Sequence, residues 1–292
     1  MNPVFILLWC GYGFLLVGLA RWARGRDNLL PGRVGAALQA VANVATYISA
    51  VALVGFGGLC HRYGLQMLLI AAGNIWFGTW FVYRYLAWPT RLWQRRLKAK
   101  TPGALLGAAI GSNSFRVFAG LLTGGLLVVY ASAVFKGAAM MLSGVTPLPF
   151  SASLWILVLL VALSVTWGGL RGVLYTEALQ GVIMAVGVAL LVYTVFKAVG
   201  GPVEGLEALA ALPPTELANR GFTRLSSGPQ GQFVLTLAAV TSIGVWAQPQ
   251  LIQRHFALSS RDEARRAAPV AMLVISLLVG GTYLAGGMAR LL

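Results

Sequence analysis

The sequence predicts an all-α membrane protein of about eight transmembrane helices, built to move a solute. Hydrophobic residues make up 58% of its 292 residues and charged residues only 10%, whereas a soluble domain carries about a quarter charged residues. The mean hydropathy is +0.79. So few charges cannot cover a water-soluble globule, and lipid is therefore the expected solvent for most of the chain.

Eight apolar segments approach the roughly 20 residues that a helix needs to cross a bilayer core of about 30 Å. Backbone polar groups inside lipid must be satisfied within their own segment, so each run is predicted to be a helix. In chain order the predicted spans are Pro3–Ala20, Val34–Leu59, Leu65–Ala87, Val117–Leu142, Leu154–Leu170, Val173–Phe196, Phe233–Ile252 and Ala267–Ala289.

The basic residues predict the orientation. A formal net charge of +15 would suggest nucleic acid in a soluble protein, but here the basic residues lie between apolar runs, so no nucleic-acid partner is expected. Alternate loops hold fifteen Lys and Arg on one side and five on the other. Positive-inside bias places the fifteen in the cytoplasm and the N-terminus outside, in a multi-pass protein of the cell (inner) membrane. The fifteen are Arg21, Arg24, Arg26, Arg33, Arg91, Arg95, Arg96, Lys98, Lys100, Arg116, Arg171, Arg254, Arg261, Arg265 and Arg266.

The sequence carries no pattern typical of an enzyme or of a resident metal cofactor. Cys10, Cys60, His61 and His255 are isolated and have no metal-binding or redox spacing. P-loop, HExxH and GxSxG motifs are missing from the 292 residues. Soluble catalysis is therefore not expected.

The second span carries polar residues in its middle and glycines near its end. Asn43, Thr46, Tyr47 and Ser49 precede the run Gly55-Phe-Gly-Gly58. A helix that breaks here would free backbone carbonyls to coordinate a cation. The alternative is a continuous helix packed through small residues, in which Ser and Thr bond back to the preceding turn.

The seventh span also contains helix-breaking residues. Pro249 lacks a backbone donor and its ring presses on the previous turn, and Gly244 lies shortly before it, so a discontinuity between them is predicted. Interrupted spans in corresponding places of two repeats point to a transporter site. The second and seventh spans are five apart, as a five-helix repeat requires.

Glu177 is the one acidic residue inside a predicted span. An ionisable group at membrane depth is functional by default. The alternative is a carboxylate that reaches the membrane surface and pairs with Arg171. The sequence leaves both interpretations open.

Three motifs resemble those of the sodium:solute symporter family, nearest its pantothenate-permease and proline-permease branches. The motifs are Gly168-Gly-Leu-x-x-Val-x-x-Thr-Glu-x-x-Gln180, Gly244-x-x-x-Gln-Pro-x-x-x-Gln-Arg254, and Ala45-Thr-Tyr-Ile-Ser-Ala50 with Gly55-x-Gly-Gly58. The resemblance implies a leucine-transporter-type fold of two inverted repeats behind an extra N-terminal helix. Residues 1–292 would form a single membrane domain: 1–22 the extra helix, 34–199 the first five-helix repeat, and 231–292 the first two helices of the second.

The resemblance also implies roles for individual residues. The backbone carbonyls of Ala45 and Ile48 would bind sodium, and Glu177 would lie on the ion's path to the cytoplasm. The substrate cavity would be lined by Tyr47, Ser49, Thr241, Val245, Trp246 and Gln248.

The implied activity is sodium-coupled symport of a small organic solute, such as a vitamin, an amino acid or a monocarboxylate, by alternating access. Its expected partners are the lipid bilayer, the sodium ion and the solute, with no other cofactor. Family members continue through the second repeat, so the chain is interpreted as C-terminally truncated or completed by a second chain. The alternatives are a symporter-like sensor or scaffold module and an inactive fragment.

Overall fold

The computed structural model describes residues 3–24, 35–49 and 51–292, with the side chains of 3–6, 8, 24, 170 and 171 left out. Val34, which begins the second predicted span, lies outside these residues, as do Ala50, Arg26, Arg33 and the side chains of Arg24 and Arg171. Within the described part the secondary structure is helical and contains no strand.

Six described helices are long and apolar enough to cross a membrane, and a bent pair makes a seventh span. The six are α4 (Leu65–Arg96), α6 (Asn113–Val145), α7 (Phe150–Gly169), α8 (Gly172–Ala198), α10 (Gly228–Ala247) and α12 (Arg261–Leu291). The bent pair is α2 (Ala36–Tyr47) and α3 (Val51–Tyr63). The remaining helices are α1 (Pro3–Arg24), α5 (Pro102–Ile110), α9 (Pro202–Ala211) and α11 (Pro249–His255). The first predicted span falls on α1, and its crossing of the membrane stays a prediction.

The second span is broken, as the sequence predicts, and the break falls in its polar stretch before the glycines. Helix α2 ends at Tyr47, Ile48 is extended (φ −90°, ψ 108°), and the axes of α2 and α3 differ by 66°. The run Gly55–Gly58, where glycine would favour a break, is helical. Gly57 instead permits close packing, because its backbone lies against Gly286 of α12 so tightly that a Cβ on Gly286 would overlap the Gly57 carbonyl.

The fifth and sixth spans, α7 and α8, meet at Gly169. Its φ of 57° and ψ of −167° lie in a region that glycine adopts without steric cost. Helix α1 packs against both arms: Gly168 and Gly172 contact Ala20, and Trp22 meets Tyr175 edge to face at 5.5 Å between ring centroids. This turn sets the depth of Glu177, two helical turns further along α8.

The seventh span is interrupted between Gly244 and Pro249, as predicted. A 3₁₀ turn at Gly244–Ala247 ends α10, Gln248 is extended, and α11 begins at Pro249. Proline is favoured at the first position of a helix because that position needs no N–H donor. The carbonyl of Gln248 accepts from the N–H groups of Leu251 and Ile252 at 3.1 and 3.0 Å.

Helix α12 lies along both halves of the broken second span. Its first part contacts α2 and its last part contacts α3. Each of the two spans has a π-helical turn, Val51–Gly55 in the second and Ser276–Gly280 in α12, and these turns touch. The largest cluster of buried apolar residues joins the second span to α4 and α12, whereas α6 and α7 expose most of their apolar side chains, as helices facing lipid do.

Candidate functional site: the break in the second span

The break in the second span leaves two backbone oxygens without a partner among the described residues. The N–H of Ile48 still bonds to the carbonyl of Val44 at 2.8 Å, and the N–H of Leu53 bonds to the carbonyl of Ser49 at 3.1 Å. Among the described residues, no backbone or side-chain donor reaches the carbonyl oxygens of Ala45 and Ile48. These are the two carbonyls that the family resemblance names as sodium ligands. Carbonyl oxygens released at a broken membrane helix are suited to binding a small cation.

A cavity of about 530 Å³ opens beside the break. We call it the break cavity. It lies between the second span, α6 and α8, and α11 closes one side through Gln250. Four residues with predicted roles line it together: Ala45, Ile48, Ser49 and Glu177. Thr46, Gln180 and Gln250 add polar residues to a cavity whose surface is otherwise mostly apolar.

Glu177 forms an ion pair with Arg254 of α11. The side chain of Arg171, the partner in one interpretation of the sequence, lies outside the described residues. Side-chain exposure is 17% for Glu177 and 9% for Arg254. Because both side chains are largely buried, each charge needs the other: an unpaired buried charge would destabilise the folded protein.

Hydrogen bonds connect the ion pair to the second span next to the break. Nε of Arg254 donates to the Thr46 hydroxyl at 3.2 Å, and the amide of Gln39 donates to the Arg254 carbonyl at 2.7 Å. Helices α2, α8 and α11 therefore meet at one charged junction. The second carboxylate oxygen of Glu177 is buried and has no partner among the described residues.

Tyr47, at the last turn of α2, connects the two interrupted spans. Its hydroxyl lies 2.8 Å from the Asn74 side-chain oxygen and 3.1 Å from the backbone carbonyl of Thr241. The hydroxyl of Ser242 also reaches the Asn74 oxygen, at 3.3 Å. Asn74 begins a π-helical turn of α4, and such turns are frequent at functional sites.

The other residues predicted to bind substrate do not line the break cavity. Thr241 bonds back to the Leu237 carbonyl at 2.8 Å, and the side chain of Val245 is buried. The indole N–H of Trp246 donates to the Phe77 carbonyl at 2.9 Å. Gln248 reaches the cavity wall only through its hydrogen bond from Gln250, at 3.0 Å. Of the predicted substrate residues, Tyr47 and Thr241 therefore contact each other, whereas Trp246 contacts α4.

Several residues of the site lie outside the predicted set, among them Asn74, Arg254 and Gln250. A carboxamide inside an otherwise apolar span was a readable signal for Asn74, since polar groups in membrane spans require partners. Arg254 ends one of the recognised motifs, but its pairing with Glu177 joins residues far apart in the chain. For Gln250 the sequence offers no distinct signal.

The chemistry of the break cavity suits a hard monovalent cation. Its lining includes Ala45 and Ile48, whose carbonyls have no partner among the described residues, and a single carboxylate, Glu177, that is paired with Arg254. No group of three or more His, Cys, Asp or Glu side chains able to hold a metal occurs within the described part of the chain, so the arrangement differs from a transition-metal centre.

Comparison with known proteins identifies relatives of this chain. The family model for the sodium:solute symporter family matches residues 29–290. The chain is 26% identical to the sodium/pantothenate symporter of Escherichia coli (strain K12) over 260 residues, covering 88% of this chain and 52% of that protein. It is 25% identical to the high-affinity proline transporter PutP of Bacillus subtilis (strain 168) over 279 residues, covering 93% and 57%.

A second sodium/pantothenate symporter, from Haemophilus influenzae, is 26% identical over 300 residues and covers 99% of this chain and 60% of its own. The chain therefore spans a little over half the length of these relatives. A solved structure of a Na⁺-coupled sialic acid symporter, in a substrate-bound outward-open state, superposes with a TM-score of 0.79 at 17% identity, covering 96% of this chain and 58% of that one.

These matches confirm the predicted class, an all-helical membrane protein with part of a leucine-transporter-type fold, from a family of transporters rather than enzymes. The division into an extra helix and two repeats stays a prediction. Because the family model covers residues 29–290, the chain belongs to the sodium:solute symporter family.

Proposed function

We propose that this chain takes part in sodium-coupled uptake of a small organic solute by alternating access, with the break cavity as its ion site. The observation that carries the proposal is the pair of unpartnered carbonyls at Ala45 and Ile48. They line the same cavity as Glu177, and the relatives include sodium symporters.

In this proposal the Ala45 and Ile48 carbonyls supply two sodium ligands and the Ser49 hydroxyl lies close by. Glu177 receives the ion on its way to the cytoplasm when the pairing with Arg254 loosens. Tyr47, Thr241, Val245, Trp246 and Gln248 contribute to the solute path between the two broken spans. Protein sites bind hard cations through several oxygens, so further ligands would come from helices beyond these 292 residues, whether on the same polypeptide or on a second chain. The greater length of the relatives supports this.

The proposed solute is a small carboxylate, such as a vitamin, an amino acid or a monocarboxylate. Pantothenate and proline, which name the relatives, both carry a carboxylate. The one arginine of the described charged junction is occupied by Glu177, so the carboxylate would be held by helix N-termini or by the sodium ion.

The test is uptake of radiolabelled pantothenate, proline and small monocarboxylates into proteoliposomes, with a sodium gradient and with choline replacing sodium. The 292-residue chain would be compared with any longer natural form that contains it. We expect sodium-dependent uptake from the longer form and little from the 292 residues alone. Robust coupled uptake by the 292 residues would refute the need for further helices, and uptake indifferent to sodium would refute the coupling.

The proposed topology, with the N-terminus outside, is tested separately. Reporter fusions after Arg96 and after Ala198 should report the cytoplasm and the exterior, respectively. The opposite result would reverse the orientation without affecting the ion site.

A further inference from the structure

A second cavity, remote from the break, lies where α4 leaves the predicted membrane and α12 begins. Its volume is about 420 Å³. We call it the arginine pocket. It is lined by Tyr83, Arg84, Tyr85, Trp88, Pro89 and Leu92 of α4 and by Arg261, Ala264 and Arg265 of α12.

The pocket is built from one face of each helix. Arg261, Ala264 and Arg265 are three and four residues apart, which places them on one side of α12. The small side chain of Ala264 leaves a hollow between the two arginines. On α4, Trp88 and Leu92 are four residues apart and therefore also share a face. Each wall of the pocket is thus one face of a helix.

The charges of the pocket are all of one sign. Arg84, Arg261 and Arg265 are exposed, and no carboxylate lies within ion-pairing distance of them among the described residues. The nearby Glu263 does not line the pocket, because its carboxylate accepts from the N–H and hydroxyl of Ser259. Three neighbouring guanidinium groups without a counter-ion favour an anion, and their planar forks match the oxygens of a phosphate.

The position of the pocket favours a lipid as the source of that phosphate. Helix α4 has 32 residues, about 48 Å at 1.5 Å per residue, whereas a hydrocarbon core is about 30 Å thick. The helix is therefore longer than the core, and because the predicted span ends at Ala87, Arg84 and Trp88 fall near the expected boundary. Tyr85 and Leu92 are each 48% exposed, and aromatic side chains at this depth pack against headgroups.

Tyr83 closes the buried side of the pocket. Its side chain is 3% exposed, and its hydroxyl has no hydrogen-bond partner among the described residues. Arg84 lies over the Tyr85 ring at 5.2 Å, which holds its guanidinium at the pocket's rim.

We propose that the arginine pocket binds the phosphate of an anionic phospholipid headgroup, with Arg84, Arg261 and Arg265 around the phosphate and Tyr85, Trp88 and Leu92 against the glycerol and upper acyl region. Basic pockets between membrane helices on the positively charged side are known to take such headgroups. The inference does not depend on sodium or on the transported solute.

The test is native mass spectrometry of the full chain in detergent, titrated with phosphatidylglycerol or with phosphatidylcholine of the same acyl chains. We expect retained phosphatidylglycerol adducts and few phosphatidylcholine adducts. The triple variant R84Q/R261Q/R265Q should bind phosphatidylglycerol roughly a hundredfold more weakly, at about a tenfold loss for every 1.4 kcal/mol and about 1 kcal/mol per lost arginine.

The matched control is R95Q/R96Q/K98Q, which removes the same charge from exposed residues of the same end of α4 outside the pocket and should bind normally. R84K/R261K/R265K keeps the charge but loses the planar fork, so intermediate binding is expected even if the glutamine variant folds poorly. Equal losses in the pocket and control variants would overturn the proposal in favour of unspecific surface charge. Displacement of the lipid by millimolar inorganic phosphate would overturn it in favour of a free-anion site.

Discussion

The two interrupted spans differ in what their breaks expose. In the seventh span, Gly244 and Pro249 bracket the break, and the neighbouring Trp246 and Gln248 are engaged by Phe77 and Gln250. In the second span, neither residue at the described break, Ile48 or Ser49, is a glycine or proline. The carbonyls of Ala45 and Ile48, residues that line a cavity beside an ion pair, have no partner among the described residues.

This difference shows that a helix can be broken by its surroundings as well as by its own residues. Pro249 cannot continue α10, because it lacks a backbone donor and its ring presses on the previous turn, so local chemistry makes this break. At Ile48 the buried side chain and the junction with Arg254 hold the chain in place. The first kind of break should survive changes in its neighbours, and the second should be sensitive to them.

Removal of the charge at Glu177 should have the largest effect. The Glu177→Gln substitution leaves Arg254 buried without a counter-charge, which costs about 3 kcal/mol. The free energy of unfolding in mixed micelles measures the loss. Glu207→Gln, on exposed α9, is the control and should change little. A loss below about 0.5 kcal/mol at Glu177 would mean that the ion pair does not stabilise the first break.

Tyr47→Phe should come next, because its hydroxyl makes one of the hydrogen bonds that join the two broken spans. Loss of the bonds to Asn74 and to the Thr241 carbonyl should cost about 1–2 kcal/mol in the same unfolding measurement. Tyr193→Phe, at a side chain 63% exposed on α8, serves as the matched control. If both tyrosine variants behaved alike, the two breaks would not be coupled through this hydroxyl.

Trp246→Phe tests the seventh-span break alone. The variant loses the 2.9 Å bond to the Phe77 carbonyl. It keeps an aromatic ring to stack on Phe81, whose ring centroid lies 4.6 Å from that of Trp246. We expect a loss of about 1 kcal/mol and unchanged half-saturating sodium for uptake. Trp155→Phe, 64% exposed, is the control. A shift in sodium dependence would assign ion binding to both breaks.

Ser49→Ala should have the smallest effect on stability and still separate the two breaks. Its hydroxyl makes no hydrogen bond among the described residues, so unfolding should change by less than about 0.5 kcal/mol. If the hydroxyl is a sodium ligand, half-saturating sodium for uptake should rise about tenfold, equivalent to about 1.4 kcal/mol. Ser132→Ala, whose hydroxyl bonds within α6, should leave sodium dependence unchanged. An unaltered sodium response in Ser49→Ala would remove it from the ion site.

The sequence could predict the class, the spans and the interruption of both helices. Apolar length fixes where a membrane helix lies, and Pro249 with Gly244 marks a break by backbone chemistry. The exact location of the first break was less accessible, because the predicted stretch ran on into the glycines at 55–58, of which Gly57 instead packs against Gly286.

The partner of Glu177 shows the same limit. Arg254 lies far from Glu177 in the chain, on a helix that reaches it only in the folded bundle, while the pairing with Arg171 stays a prediction. Tyr47 and Thr241 meet for the same reason. Local residue chemistry therefore predicts which groups need partners, and tertiary packing decides which partners they find.

The contact between the π-helical turns of the second span and α12 has a mechanical consequence. Helix α12 spans the break: it contacts α3 through Gly57 and Gly286 and lies against α2 as well. Its own π-helical turn at Ser276–Gly280 lies beside the π-helical turn of the second span. A tilt of α2 relative to α3 should therefore bend α12 at Ser276–Gly280, while the contact between Gly57 and Gly286 is kept.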